Sequence, residues 1–155
     1  MGDFRLQGQG GNRLFLFWDT ATGENIRTVG DMGTFEYAFT PNEEFFLYDT
    51  KENYRPPGTH SDHPIRSRVI GLTNATDFIA PGKLYKTLNN NRFITHLPSD
   101  IAGHKAGYYL ITPQTQTVEH IYGDGRELLI SPDGRDAIYI QDGAVMRANL
   151  ATMEQ

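Results

Sequence analysis

The sequence predicts an all-β chain built from repeated antiparallel sheets, and three observations lead there. Segments with strand character are short and closely spaced. No window keeps apolar residues at i, i+3, i+4 and i+7 for more than about two helical turns. Nine Phe, eight Tyr and one Trp accompany 16 Gly and eight Pro, which are scattered singly. That mixture suits strands joined by tight turns.

Taken in order, the first strand-like segment is Arg13–Trp18, an apolar and aromatic run. Thr34–Phe39 and Glu44–Tyr48 follow, divided by Pro41-Asn42, the corner residues of a type I turn. Arg68–Leu72, Arg92–His96, Gly107–Ile111 and Thr117–Ile121 are β-branched or aromatic segments separated by polar turns. Glu127–Ile130, Asp136–Ile140 and Ala144–Ala148 complete the series. Phe39, Phe46, Leu110, Ile130, Ile138 and Ile140 are expected to pack between sheets, and the lone Trp18 with them.

Two periods run through these segments. One is an Asp, Asn or Thr followed three places on by Thr: Asp19 with Thr22, Thr73 with Thr76, Thr112 with Thr115, and Asn149 with Thr152. Such side chains bond backbone amides two residues on and so close a hairpin turn. The other is Phe39–Asp49, FTPNEEFFLYD, echoed by Ile130–Asp142, ISPDGRDAIYIQD, with a degenerate copy expected near Leu97-Pro98-Ser99-Asp100. Each is a strand, a polar proline turn and a second strand. A recurrence of roughly 40 to 50 residues is that of a β-propeller-like repeat of antiparallel blades, here about three and a half to four units.

The stretch from Phe17 to Asp49, FWDTATGENIRTVGDMGTFEYAFTPNEEFFLYD, resembles one unit of a WD-repeat or related β-propeller, and Ile130–Gly134 is similar to its Ser-Pro-Asp-Gly turn. Trp18-Asp19 is the only Trp-Asp pair, and Gly30-Asp31 stands where the family has Gly-His. The resemblance implies a rigid scaffold whose surfaces bind other proteins, and it implies no catalysis. Read as blades, the first unit lacks its opening strand and the last stops after the Asn149 turn. Asp3–Gln7 is available to complete the last unit. The expectation is a single domain over residues 1–155, either a self-closed ring of four or an incomplete propeller whose open edges associate.

Charge narrows the function. Fourteen basic and 19 acidic residues give a net charge of -5, which argues against a protein whose affinity comes from neutralising nucleic-acid phosphates. Without cysteine there are no disulfides, thiolate zinc sites or cysteine nucleophiles. Leu14–Trp18 is too short for a signal sequence or a membrane span, so a soluble, cytoplasmic chain is expected. The Asn74-Ala75-Thr76 sequon is then idle.

The longest irregular stretch, Thr50–Ile65, holds the candidate binding residues Tyr54, Arg55, His60, Asp62 and His63. Pro56-Pro57 keeps part of it out of any central strand and places it on the surface. Tyr54 and Arg55 are the residue types that dominate interface energetics. His60, Asp62 and His63 offer two imidazoles and a carboxylate, but no third protein ligand is identifiable, so no metal is assigned. A second loop, Pro98–Gly107, holds Asp100, His104 and Lys105 as acid or base groups. Nucleophile elbows, phosphate-cradling loops and paired carboxylates of recognisable spacing are absent.

The expected function is therefore a non-enzymatic interaction scaffold or assembly subunit without cofactor. It binds a protein partner, or another copy through blade edges. The alternative is a propeller hydrolase or sugar-binding protein with a metal or ligand in the 50–65 loop.

Overall fold

A computed structural model describes the backbone of residues 2–9, 12–30, 32–50, 53–54, 63–121 and 127–151, and the side chains of 14–30, 36–50, 65–121 and 127–151. The described chain is all-β. Four antiparallel sheets follow one another, each a meander in which sequential strands pair. The first holds β1 (Gly2–Gln9), β2 (Asn12–Asp19) and β3 (Asn25–Val29). The second holds β4 (Met32–Phe39), β5 (Phe45–Thr50), β8 (Arg66–Gly71) and β9 (Asp77–Pro81), with a small hairpin of β6 (Asn53–Tyr54) and β7 (His63–Pro64) inserted after β5. The third holds β10 (Lys83–Thr87), β11 (Phe93–Leu97), β12 (Gly107–Thr112) and β13 (Thr117–Ile121). The fourth holds β14 (Leu128–Ile130), β15 (Asp136–Gln141) and β16 (Ala144–Asn149).

The central strands are apolar on both faces because both faces are covered. Along β5, Phe46 and Tyr48 turn toward the first sheet and join Phe15, Phe17, Val29 and Ile70. Phe45 and Leu47 turn the other way, joining Phe93, Leu97, Tyr109 and Ile111. β12 repeats the pattern, since Tyr108 and Leu110 pack with Leu128, Ala137, Tyr139 and Leu150. Three clusters thus join four sheets in series, and each fully buried large side chain in them contributes about 1.5–3 kcal/mol.

Turn chemistry follows the sheets. Asp19 Oδ1 accepts from the Ala21 and Thr22 amides at 2.7 and 3.0 Å, Asn74 Oδ1 from Thr76 at 2.9 Å, and Asn149 Oδ1 from Ala151 at 2.9 Å. These turns leave β2, β8 and β16, which are therefore corresponding strands. In the second copy Asn74, and not Thr73, closes the turn, because the amide carbonyl reaches its own backbone two residues on. The proline turns join the first two strands of the second and fourth sheets, as Thr40–Glu44 and Ser131–Arg135. In both, the opening residue donates its amide to the next strand's first carbonyl, Thr40 to Phe45 at 3.0 Å and Ser131 to Asp136 at 2.9 Å.

Three expectations are corrected. The intermediate copy of the proline turn is Leu88–Arg92, closed by Leu88 N to Arg92 O at 2.8 Å, while Pro98-Ser99-Asp100 leads out of β11. This turn, Leu-Asn-Asn-Asn-Arg, contains no proline, so composition pointed to the wrong segment. Asp3–Gln7 pairs with Trp18–Leu14 in the first sheet and does not complete the last one. Ile138 and Ile140 are exposed, 44% and 38%, because the face of the fourth sheet that they share belongs to none of the three clusters.

No helix among the described residues is long and apolar enough to cross a membrane.

Candidate functional site

The 50–65 insertion leaves the sheet between two central strands, β5 and β8. Its base is held by a buried polar node. Asp49 is fully buried, and its Oδ1 accepts from the Leu84 amide at 3.1 Å and lies 3.0 Å from Ser67 Oγ. Ser67 Oγ is also 2.7 Å from the Gly82 carbonyl, and Thr50 Oγ1 donates to the Arg66 carbonyl at 3.1 Å. A carboxylate buried in this way is tolerated because donors surround it. Beyond the node, β6 and β7 set Tyr54 opposite His63 in the ladder. Arg55, His60 and Asp62 lie outside the described residues.

The second loop is occupied with its own closure. Asp100 Oδ1 accepts from the Ala106 amide at 2.7 Å, and Ile101 and His104 form an isolated bridge. The His104 ring meets Tyr109 edge-on at 6.1 Å, and His120 lies tilted on the opposite partner strand's Tyr109 at 4.8 Å. Burial, then the negative charge of Asp100, pushes the Tyr109 phenol up from its ordinary range. Asp100 is thereby committed to closing its own turn, and the His104 ring to its contact with Tyr109. Among the described residues no three His, Asp or Glu side chains are grouped to hold a metal.

Two surfaces that sequence patterning did not single out are more distinctive. The first is the outer face of the fourth sheet, where Leu129 and Val145 are 64% and 75% exposed beside Ile138 and Ile140. Cross-strand register places them together: Leu129 opposite Ile138, and Ile140 opposite Val145. An Arg147–Asp136 ion pair at 2.8 Å borders them. β16 is the terminal strand of this sheet and pairs only with β15 among the described residues.

The second surface is a cleft of about 760 Å³ between the first and second sheets. Phe17, Phe39, Ile26 and Leu72 supply apolar walls, and Asp19, Glu43 and Glu44 supply carboxylates. Hydrogen bonds from the Thr22 and Ala21 amides hold the Asp19 carboxyl below its usual range, so it stays charged. Among the described residues no Lys or Arg lines this cleft. Only the turn signals marked these positions in the sequence, since a cleft between sheets depends on which turns meet in space.

Comparisons with protein-family models, with curated proteins and with solved structures find no match to this chain.

Proposed function

We propose that the protein is a non-enzymatic assembly module, a WD-repeat-like β-propeller arc whose sheets act as blades and whose open end binds another copy of itself. The single observation behind this reading is the outer face of the fourth sheet, whose β16 pairs only with β15 among the described residues. Inside the chain, every sheet is joined to the next by an apolar face of the same kind. The fourth sheet repeats that face, yet Leu129, Ile138, Ile140 and Val145 stand in solvent. Exposed apolar patches bordered by polar groups are typical of association sites, and an unpaired edge strand adds a template for pairing.

The counterpart is the rear face of the first sheet, where Leu14, Leu16 and Trp18 point away from the Phe15 and Phe17 cluster. Head-to-tail contact between these faces extends the stacking already present three times. Two copies would bring eight sheets together, within the four to eight blades typical of closed propellers. The 50–65 insertion, with Tyr54, Arg55, His60, Asp62 and His63, is kept in this reading as a second candidate contact region.

Light scattering from micromolar to millimolar protein, with circular dichroism on the same samples, tests the reading. The expected result is a discrete multiple of the 17.5 kDa chain that an Ile138→Glu/Val145→Glu variant reduces to a folded monomer. A wild-type protein that stays a folded monomer throughout, or an oligomer indifferent to both substitutions, overturns it.

A further inference from the structure

The first strands of the second and third sheets, β4 and β10, lie side by side, and side chains from both enclose a hollow of about 700 Å³. Glu36, Tyr37, Lys83, Leu84 and Tyr85 line it. That volume falls within the range of small-ligand sites. Aromatic rings beside charges of both signs set it apart from the apolar joints between sheets.

Tyr85 is placed by an irregularity in β10. The register with β11 shifts between Leu84 and Lys86, and such a bulge re-aims the side chain between them. The Tyr85 hydroxyl donates to the Leu128 carbonyl of the fourth sheet at 3.0 Å, and its ring meets Tyr108 edge-on with centroids 5.0 Å apart. Tyr108 is itself backed by the His96 ring at 4.6 Å. Just before the bulge, the Leu84 amide donates to buried Asp49 at 3.1 Å. The phenol is thus held in one orientation while 44% of the residue stays exposed. A ring anchored in this way loses little freedom when a ligand lies on it.

Beside it, Lys83 Nζ stands 3.8 Å from Glu36 Oε1, and both side chains are well exposed. An exposed pair of this length contributes little to folding. Its carboxylate only accepts hydrogen bonds and its ammonium only donates them. A hydroxyl does both at once, so a ligand with neighbouring hydroxyls bonds to Glu36 and Lys83 without separating their charges. The two charges cancel, so the pair favours neither an anion nor a cation. The geometry points to a neutral saccharide as the occupant of this hollow. The C–H face of a pyranose ring lies on Tyr85, whose electron-rich face attracts polarised hydrogens, and adjacent hydroxyls bridge Glu36 and Lys83. Occupation does not depend on self-association through the fourth sheet, since none of the five lining residues belongs to that sheet.

The probes are cellotriose, maltotriose and mannotriose, each titrated into the intact protein and followed by amide chemical shifts. Expected is a saturable response to at least one of them, centred on Glu36, Tyr37 and Lys83–Tyr85. Tyr85→Ala and Glu36→Gln, each verified as folded by circular dichroism, should weaken it by about tenfold. Tyr85→Phe keeps the ring and should lose less than Tyr85→Ala. No response to any of the three, shifts centred elsewhere, or an affinity indifferent to Tyr85→Ala and Glu36→Gln overturns the proposal. Free leucine that binds at the same amides more tightly than the trisaccharides gives the hollow to a zwitterion and overturns it as well.

Discussion

Replacing Phe46 by alanine removes the ring at the centre of the first cluster. Phe46 is fully buried, with ring centroids of Phe15, Phe39 and Phe17 at 4.7, 4.9 and 5.1 Å and those of Tyr48 and Tyr37 at 5.7 and 5.8 Å. Five aromatic neighbours, drawn from β2, β4 and β5, cannot all move into the space. The cost should therefore fall near the upper part of the range for such truncations, about 4 kcal/mol. For a chain of this size that lowers the melting temperature by roughly 8–16 °C. Phe46→Leu keeps most of the volume and should cost about 1.5 kcal/mol. Ile79→Ala, in the same sheet but 47% exposed on β9, should cost about 0.5 kcal/mol. The assay is urea unfolding followed by circular dichroism on all three variants. A Phe46→Ala cost below about 1.5 kcal/mol, or one equal to that of Ile79→Ala, would refute the placement of β5 between two packed faces.

Gly82 has φ +79°, and a Cβ there would stand 2.5 Å from the backbone carbon and oxygen of His96. Gly82→Ala should destabilise by about 3 kcal/mol or more in the same unfolding assay. Asp77 sits between Arg68 at 2.7 Å and Arg27 at 3.2 Å, and the Arg68 hydrogen bond above all holds its carboxyl below the ordinary 3.8. Its stabilising contribution is present above that value and fades as pH falls through the lower folded-state value. Asp77→Asn should therefore cost about 0.2–1 kcal/mol at neutral pH and nothing once the carboxyl is protonated, as urea midpoints across the acid range will show. Tyr54→Ala/Arg55→Ala should weaken association in sedimentation by about tenfold, since such residues anchor interfaces. Unchanged sedimentation would remove the 50–65 insertion from the contact.

Strands apolar on both faces were the most legible part of the chain. β5, β11 and β12 pack in two clusters each, so β5 and β12 carry the unbroken runs Phe45–Tyr48 and Tyr108–Ile111 and β11 is apolar or β-branched but for His96, and Thr117–Ile121 coincides with β13. β3, β9 and β10 escaped the pattern because they are short, partly exposed strands that open on Asn25, Asp77 and Lys83, and β9 runs into Pro81 after only three apolar residues. Ile138 and Ile140 show the converse error. Alternation announces an apolar face but not whether a neighbouring sheet covers it. Of the candidate site, the turns around Asp19 and Pro41 were readable individually. Their meeting across the cleft depends on how the first two sheets pack together, which local sequence does not encode.

The series arrangement of the clusters has a thermodynamic consequence. Among the described residues the second and third sheets are each held from both sides and the first and fourth from one, the arrangement of a short one-dimensional array whose end units have half the coupling. Opening of an end sheet need not disturb the middle, and amide exchange should therefore be fastest in β1 and β16 and slowest in β5 and β12. The exposed face of the fourth sheet lies on one of those weakly coupled end units. A partner that covers one supplies the missing neighbour, so binding there should raise protection across the whole end sheet and not only at the residues touched.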